Sequence, residues 1–448
     1  MKKQFTWLIA LFILFGINAC NAPDNQNQET EEQDVSWYKD ATIYEVNIRQ
    51  YTEEGTFKAF QNHLPRLKEL GVDILWIMPI HPIGELNRKG ELGSYYSVKD
   101  YLDVNPRFGT KEDFRNLVNA VHEQGMHIII DWVANHSAWD NENVTKHPEW
   151  YATDDEGNMF SPFDWSDVVQ FNYENQEMRN YMTDALKYWV EEFDIDGYRC
   201  DVAGMVPVDF WNHTVRELRK IKPIFMLAED EDHLELLDTA FNMHYGWHMH
   251  HLMNTIAQGK ADVTELKKYF RKTEEELDAD DVKMNFLTNH DENSWNGTIN
   301  ERMGDAQKAM AVLSWTIPGM PLIYSGQEIG LDKRLEFFKK DPIEWRECKL
   351  ETFYSKLNQL KADNPALWAP DFGGDFKILD NTEPEKVFAF IRNKEDNKVL
   401  VILNLSNEDV VTESNDFAGT YTDFFKDEKI EAGKVLELEP WDFRVYVK

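Results

Sequence analysis

Cysteine is scarce in this 448-residue chain: only Cys20, Cys200 and Cys348 are present. With no C-x-x-C and no framework spacing, neither a disulfide scaffold nor a cysteine-held metal is indicated. Basic residues are also in short supply. Against 81 Asp and Glu stand 47 Lys and Arg, a formal net charge of −34. That balance disfavours nucleic acid or an anionic lipid surface as partner, while a neutral ligand feels little of it. Long apolar runs are missing too: "FTWLIALFILFGI" at 5–17 is too short to span a bilayer comfortably. Aromatic side chains are plentiful instead. The 15 Trp, 17 Tyr and 27 Phe allow both a substantial core and aromatic binding surfaces.

The first residues read as a targeting signal rather than as fold. Lys2 and Lys3 precede the apolar run, no A-x-A cleavage site follows it, and "INAC" places Cys20 directly after it. This resembles the lipobox of bacterial lipoproteins, which implies residues 1–20 as a signal peptide and lipid on Cys20 as a membrane anchor. An ordinary secretory signal is the alternative, and either implies export. As a lipoprotein the chain is expected at the outer membrane of a Gram-negative bacterium, on a face the sequence leaves open. Residues 21–36 then form a polar tether with almost nothing to bury.

From about residue 41 short apolar runs alternate with longer amphipathic segments. Eight strand candidates emerge at 41–49, 73–80, 126–136, 196–203, 224–230, 241–247, 282–292 and 321–330. Several carry apolar residues on both parities, as parallel strands covered on both faces do. Between them, "TKEDFRNLVNAVHEQG" (110–125) places Phe114, Leu117, Val118 and Val121 on one helical face, with Thr110 and Asp113 at capping-box spacing. The pattern predicts an α/β fold, a (β/α)₈ TIM barrel over 37–366, with a doubly wound open sheet as competitor. A long polar and aromatic connection, 137–174, forms a short excursion after the third strand. "KVFAFIRN", "KVLVILNLS", "KVLELEP" and "FRVYVK" predict a C-terminal antiparallel β-sandwich over 367–448.

Polar residues gather at the ends of these strands. The third ends "DWVANH" (131–136), the fourth carries Arg199 and Asp201, the fifth ends "LAEDED" and the seventh "TNHDEN". In a barrel, strand ends converge on one rim. Carboxyl groups around one point suit glycosidic cleavage: one protonates the leaving oxygen, another attacks the anomeric carbon or activates water. Arg199 and Asp201, two apart on one strand face, explain a buried charge pair, because a nearby guanidinium favours an ionised carboxylate.

"DWVANH", "GYRCDVA", "LAED" and "TNHDEN", in this order, resemble the four signature regions of the α-amylase family, glycoside hydrolase family 13. "GMPLIYSGQEIG" (319–330) and "GSYYSVKDY" (93–101) are similar to its eighth-strand sequence and the loop after its second strand. The resemblance covers about 37–448. It implies Asp201 as nucleophile, Glu229 as general acid/base and Asp291 as transition-state stabiliser. It also implies Arg199 as partner of the nucleophile, His136 and His290 as ligands of sugar hydroxyls, and Tyr96 as the sugar's stacking platform. The reaction would be a retaining cleavage of α-1,4-glucosidic bonds in starch-like glucans or maltooligosaccharides.

Residue by residue, alternatives remain. Glu231 shares the parity of Glu229 and is a second candidate acid, and His136 is also placed to cap the long loop. Trp139, Trp150 and Trp165 are candidates for sugar stacking, with at least one holding the loop together, whereas Trp132 packs between strand and helices. Many α-amylases follow the nucleophile with a Lys-His pair that shapes the acceptor side and helps complete a calcium site. Here "VAGMVP" follows Asp201. No cofactor is required by the chemistry; Asn135 matches a calcium-ligand position, so a structural calcium stays open, as does a purely hydrogen-bonding Asn135. The missing pair also leaves open a neopullulanase, α-glucosidase or transglycosylating activity, and an inactive glycan-binding barrel is the reading from another class.

Overall fold

The computed structural model describes residues 36–278 and 280–448, which fall within one compact unit. Cys20, the leader and nearly all of the tether lie outside the described residues. Among the described residues no helix is long and apolar enough to cross a membrane.

All eight predicted barrel strands form, each trimmed at its ends. They are β1 (Ile43–Val46), β2 (Ile74–Ile77), β3 (His127–Trp132), β6 (Gly197–Cys200), β7 (Phe225–Ala228), β8 (Met243–Tyr245), β9 (Val282–Phe286) and β10 (Met320–Tyr324). All pair in parallel and close in the order β1-β10-β9-β8-β7-β6-β3-β2, which excludes the open sheet. Period-two alternation explains their burial on both faces. Ile43, Trp76, Ile129, Leu227, Met284 and Leu322 fill the barrel interior, while Tyr44, Leu75, Ile130, Tyr198 and Met226 pack outward against the helices.

The helix Lys111–Glu123 starts with the expected capping box, Thr110 and Asp113 each bonding the other's backbone N–H. Helix Gln176–Phe193 is capped by the Asn175 side chain and buries Met182, Leu186, Trp189, Val190 and Phe193. The predicted third strand is cut at Trp132. Its last residue, His136, instead opens β4 (His136–Ala138), which pairs antiparallel with β5 (Val168–Gln170) inside the excursion.

The C-terminal region is antiparallel. β11 (Asp375–Ile378), β12 (Val387–Lys394), β13 (Asn397–Asn404), β15 (Gly419–Asp423), β16 (Glu428–Ala432) and β18 (Phe443–Val447) make one six-stranded sheet. β14 (Val410–Glu413) and β17 (Val435–Leu438) make a second, and Val410 and Leu438 share a core with Val387, Leu400 and Ile402 of the first. One buried cation ties this sheet to the barrel, and a buried lysine pins backbone on the barrel side. Arg392 of β12 donates to the carbonyls of Thr316, Trp368 and Gly374 at 3.3–3.4 Å. Lys361 donates to those of Gly319 and Leu367 at 3.0 and 2.8 Å. Burial lowers both, Lys361 to about 7 and Arg392 to about 9.

Candidate active site

The polar strand ends meet where expected, at the rim formed by the C-terminal ends of the parallel strands. Asp131 is the penultimate residue of β3, Asp201 follows β6 directly and Glu229 follows β7 directly. Asp291 lies five residues beyond the end of β9, at the start of a helical turn. Sequence parity set His290 and Asp291 on opposite faces of a strand; because β9 has ended at Phe286, both reach the site.

Arg199 is the hub. Its Nη1 lies 2.8 Å from Asp131 Oδ1 and 3.1 Å from Asp201 Oδ1, and its Nη2 lies 2.8 Å from Glu229 Oε2. Its Nε donates to the Tyr245 hydroxyl at 3.1 Å. The rings of Trp76, Tyr245 and Tyr96 stand 5.1, 5.5 and 5.7 Å from the guanidinium carbon. An exclusive Arg199–Asp201 pair therefore gives way to one cation shared by three carboxyl groups. Asp131 takes a closer contact than Asp201 does.

This crowding governs the protons. Burial first, then the charge of Glu229, pushes Asp201 well above the usual carboxylate range, with Arg199 opposing. Burial raises Glu229 against the same guanidinium. Two carboxyls that share one cation out of water cannot both ionise freely, so the pair retains a proton. One acid and one base side by side is the state that acid-assisted nucleophilic chemistry needs.

The backbone between them is strained. Val202 adopts φ 40°, ψ 49°, a left-handed conformation disfavoured for a β-branched residue. The strand predicted over 196–203 ends at Cys200, and the chain turns at Asp201. As a result the Val202 N–H donates to Glu229 Oε2 at 2.8 Å. Tyr198 does face outward, its hydroxyl donating to the Leu186 carbonyl at 2.5 Å.

The two histidines differ in charge. His136 is buried with no carboxylate on it among the described residues, and burial lowers it to about 3. Burial also works against His290, but Asp291 and then Glu45 overcome it and carry it up to about 9. His290 Nδ1 lies 2.6 Å from Glu45 Oε1, and its Nε2 lies 2.7 Å from the Tyr96 hydroxyl and 3.4 Å from Asp291 Oδ2. Tyr96 donates to Asp131 Oδ2 at 3.0 Å, an oxygen that Trp76 Nε1 approaches at 3.3 Å. The Asp291 side chain is 38% exposed, open to a ligand in the mouth.

All seven predicted site residues converge, His136 through a hydrogen bond with the Tyr96 backbone. Other candidates do not. Glu231 is taken by Lys283 at 2.9 Å and by the backbone N–H of His248 at 2.6 Å, so its carboxylate is committed elsewhere. Trp150 is buried against His147 and Tyr181, and Trp139 donates to the Ser166 carbonyl; both hold the excursion together. Trp165 reaches the site, edge-on to His136 at 5.4 Å, with the 74%-exposed Phe163 beyond it at 5.1 Å. Trp132 packs among His81, Tyr101 and Tyr198, as expected. Glu45, Trp76 and Tyr245 were not singled out from sequence. Glu45 had a signal, a carboxylate inside the apolar run of β1; the aromatics had none.

The Asn135 side chain donates to His136 Nδ1 at 3.3 Å, and the Asn135 backbone carbonyl accepts from the Phe171 N–H. Among the described residues no group of three or more His, Cys, Asp or Glu side chains converges to hold a metal ion. The Asn135 side chain is engaged with the neighbouring histidine ring. Gly204, where many relatives of the signature carry the lysine, has no room for a side chain: a Cβ there would lie 2.1 Å from Asp230 Oδ2 and 2.5 Å from His233 Nδ1. Those two side chains pair with each other at 3.0 Å.

Comparisons with known proteins agree with this fold. A family model described as alpha amylase, catalytic domain, matches residues 24–384. One described as maltogenic amylase, C-terminal domain, matches 376–445. The chain is 27% identical over 391 residues to an alpha-amylase of Haloarcula japonica, covering 83% of this chain and 56% of that protein. To a maltogenic alpha-amylase of Bacillus acidopullulyticus it is 27% identical over 423 residues, 87% of this chain and 70% of the other. A solved alpha-amylase from Lactobacillus plantarum superposes with a TM-score of 0.84 at 30% identity, covering 92% of this chain and all of its own. A maltogenic alpha-amylase from Thermotoga neapolitana gives the same values over 92% and 100%. Barrel, rim carboxylates, C-terminal sheet and matched models lead to one statement: the chain belongs to the alpha-amylase family of glycoside hydrolases.

Proposed function

We propose that the chain is a retaining α-glycoside hydrolase acting on α-1,4-linked glucans or maltooligosaccharides. The observation that carries this reading is the single guanidinium of Arg199 placed 3.1 Å from Asp201 and 2.8 Å from Glu229 at one barrel rim. Asp201, ionised, attacks the anomeric carbon as Glu229 gives its proton to the leaving oxygen, and a glycosyl-enzyme forms. Glu229 Oε2 already receives the Val202 N–H and faces Arg199, which leaves Oε1 to carry the transferred proton. Asp291 stabilises the positive charge that develops on the sugar ring. Glu229, now ionised, then takes a proton from water, and the hydroxide displaces Asp201.

Relatives described as maltogenic alpha-amylase and cyclomaltodextrinase support the choice of substrate class. Neutral His136 and charged His290 offer different hydrogen bonds to hydroxyls of the same sugar, and Trp165 extends the contact outward. The test is Asp201→Asn, which should reduce turnover of maltoheptaose by several orders of magnitude with the fold intact. Proton NMR of the wild-type reaction should show the α-anomer released first. Undiminished activity in the variant, or a β-anomer, would sink the reading, and thin-layer product analysis separates hydrolysis from transfer.

A further inference from the structure

Glu45 sits on β1 inside the barrel, fully buried, paired in register with Trp76 of β2 and Tyr324 of β10. Most side-chain hydrogen bonds in proteins go to backbone or water rather than to another side chain. Among the described residues the only side-chain hydrogen bond of Glu45 runs from Oε1 to His290 Nδ1 at 2.6 Å, and buried Oε2 has no hydrogen-bond partner.

A proton count on the neighbouring atoms is informative. The Tyr96 hydroxyl spends its one proton on Asp131 Oδ2 at 3.0 Å. Its oxygen, 2.7 Å from His290 Nε2, is then an acceptor, and Nε2 must carry a hydrogen. Nδ1 faces a carboxylate oxygen, so it carries one as well. Both nitrogens protonated make an imidazolium. The charged and titratable groups around the pair are Asp131, Arg199, Glu229, Asp291, Tyr96, Tyr245 and Tyr324, so four carboxyls, Glu45 included, face this ring against one guanidinium.

Resting on the hydrolase reading above, we propose that Glu45 is a positioning residue of the site. It holds the Nδ1 proton of His290, so that the ring stands as a cation with its Nε2–H fixed toward Tyr96, Asp291 and the sugar. His136 shows what the same ring does without such a partner: it is equally buried, and stays neutral.

The test is the nitrogen-15 NMR titration of His290 in the wild type, Glu45→Gln and Glu45→Asp, with the resonance assigned by loss in His290→Asn, together with pH profiles of kcat/KM. In the wild type both ring nitrogens should be protonated through neutral pH. Glu45→Gln keeps the shape and removes the charge; its His290 should titrate at least about one unit lower, a tenfold loss of proton affinity. The alkaline limb of kcat/KM should fall with it, with kcat reduced more than KM is raised. Glu45→Asp keeps the charge on a shorter arm and should lie between, which covers a poorly folding Gln variant. A His290 titration unmoved by Glu45→Gln, or an unprotonated Nδ1 at neutral pH, overturns the proposal. A wild type inert on maltooligosaccharides would defeat the hydrolase reading, and the ring spectrum would still decide for or against the dyad.

Discussion

Arg199→Met is the substitution that most directly tests the electrostatics of the rim. Methionine fills much of the volume but removes the cation that lies 2.8–3.1 Å from Asp131, Asp201 and Glu229. An opposite charge at such range lowers a carboxyl pKa by about 1–3 units, so its removal lets each rise by that amount. The nucleophile acts only when ionised. The sign follows: with a higher pKa, ionised Asp201 is reached only at higher pH, and the acid limb of the kcat/KM profile moves up by about 1–3 units. At a pH on the acid part of the former plateau, turnover falls about 10- to 1,000-fold and recovers partly as the pH is raised. Removing one partner of a buried ion pair also destabilises the fold, by about 3–5 kcal/mol. Turnover should therefore be measured well below the unfolding temperature. Arg199→Lys separates the contributions, because an ammonium has no planar fork to serve three carboxyls at once. A methionine variant whose acid limb stays where it was refutes the idea that Arg199 sets the ionisation of Asp201.

Three further outcomes are expected. Asp196, nearly buried at the start of β6, accepts from Ile128 N–H, His122 and Lys222 at 2.8–2.9 Å and is held well below the usual carboxylate range. Its stabilisation is present above the unfolded value near 4 and is lost as pH falls toward the depressed folded value; urea titrations should show Asp196→Asn about 3 kcal/mol less stable at pH 7, with the gap closing below about pH 4. A pH-independent gap would argue against the ionic origin. Trp165→Ala should raise KM for maltoheptaose about 2- to 10-fold and leave kcat nearly unchanged, as loss of one stacking contact does; an unchanged KM would remove Trp165 from the sugar path. Gly204→Ala displaces the Asp230–His233 pair and should alter the ratio of transfer to hydrolysis products from maltotriose, and an identical ratio would place that pair away from the acceptor.

The barrel was legible because its strands are apolar on both faces, a pattern that half-exposed segments lack. β11 and β16 escaped for that reason, being exposed or half-exposed at every position. Site residues were readable where a charge interrupts an apolar strand end, as at Arg199, Asp201 and Glu229. The sharing of Arg199 among three carboxyls was not readable, since Asp131 and Glu229 arrive from other strands and their distances depend on barrel closure. Val202 falls outside the predicted strand span because the strand ends at Cys200. Nothing in the type of residue 202 announces a left-handed backbone, and valine argues against it.

Arg392 has a consequence for synthesis. Its guanidinium, from β12, satisfies buried carbonyls at Thr316, Trp368 and Gly374 that precede it in the chain. A nascent polypeptide that has just completed β10 therefore leaves the ribosome with the Thr316 acceptor open. It stays open until another seventy or so residues have emerged, so this one barrel carbonyl waits on the C-terminal sheet for its donor. Grafting a different sheet onto this barrel should then succeed only where the donor supplies an arginine at the same register. Truncation before residue 392 should yield chains that are synthesised but retained by chaperones, rather than a smaller working enzyme.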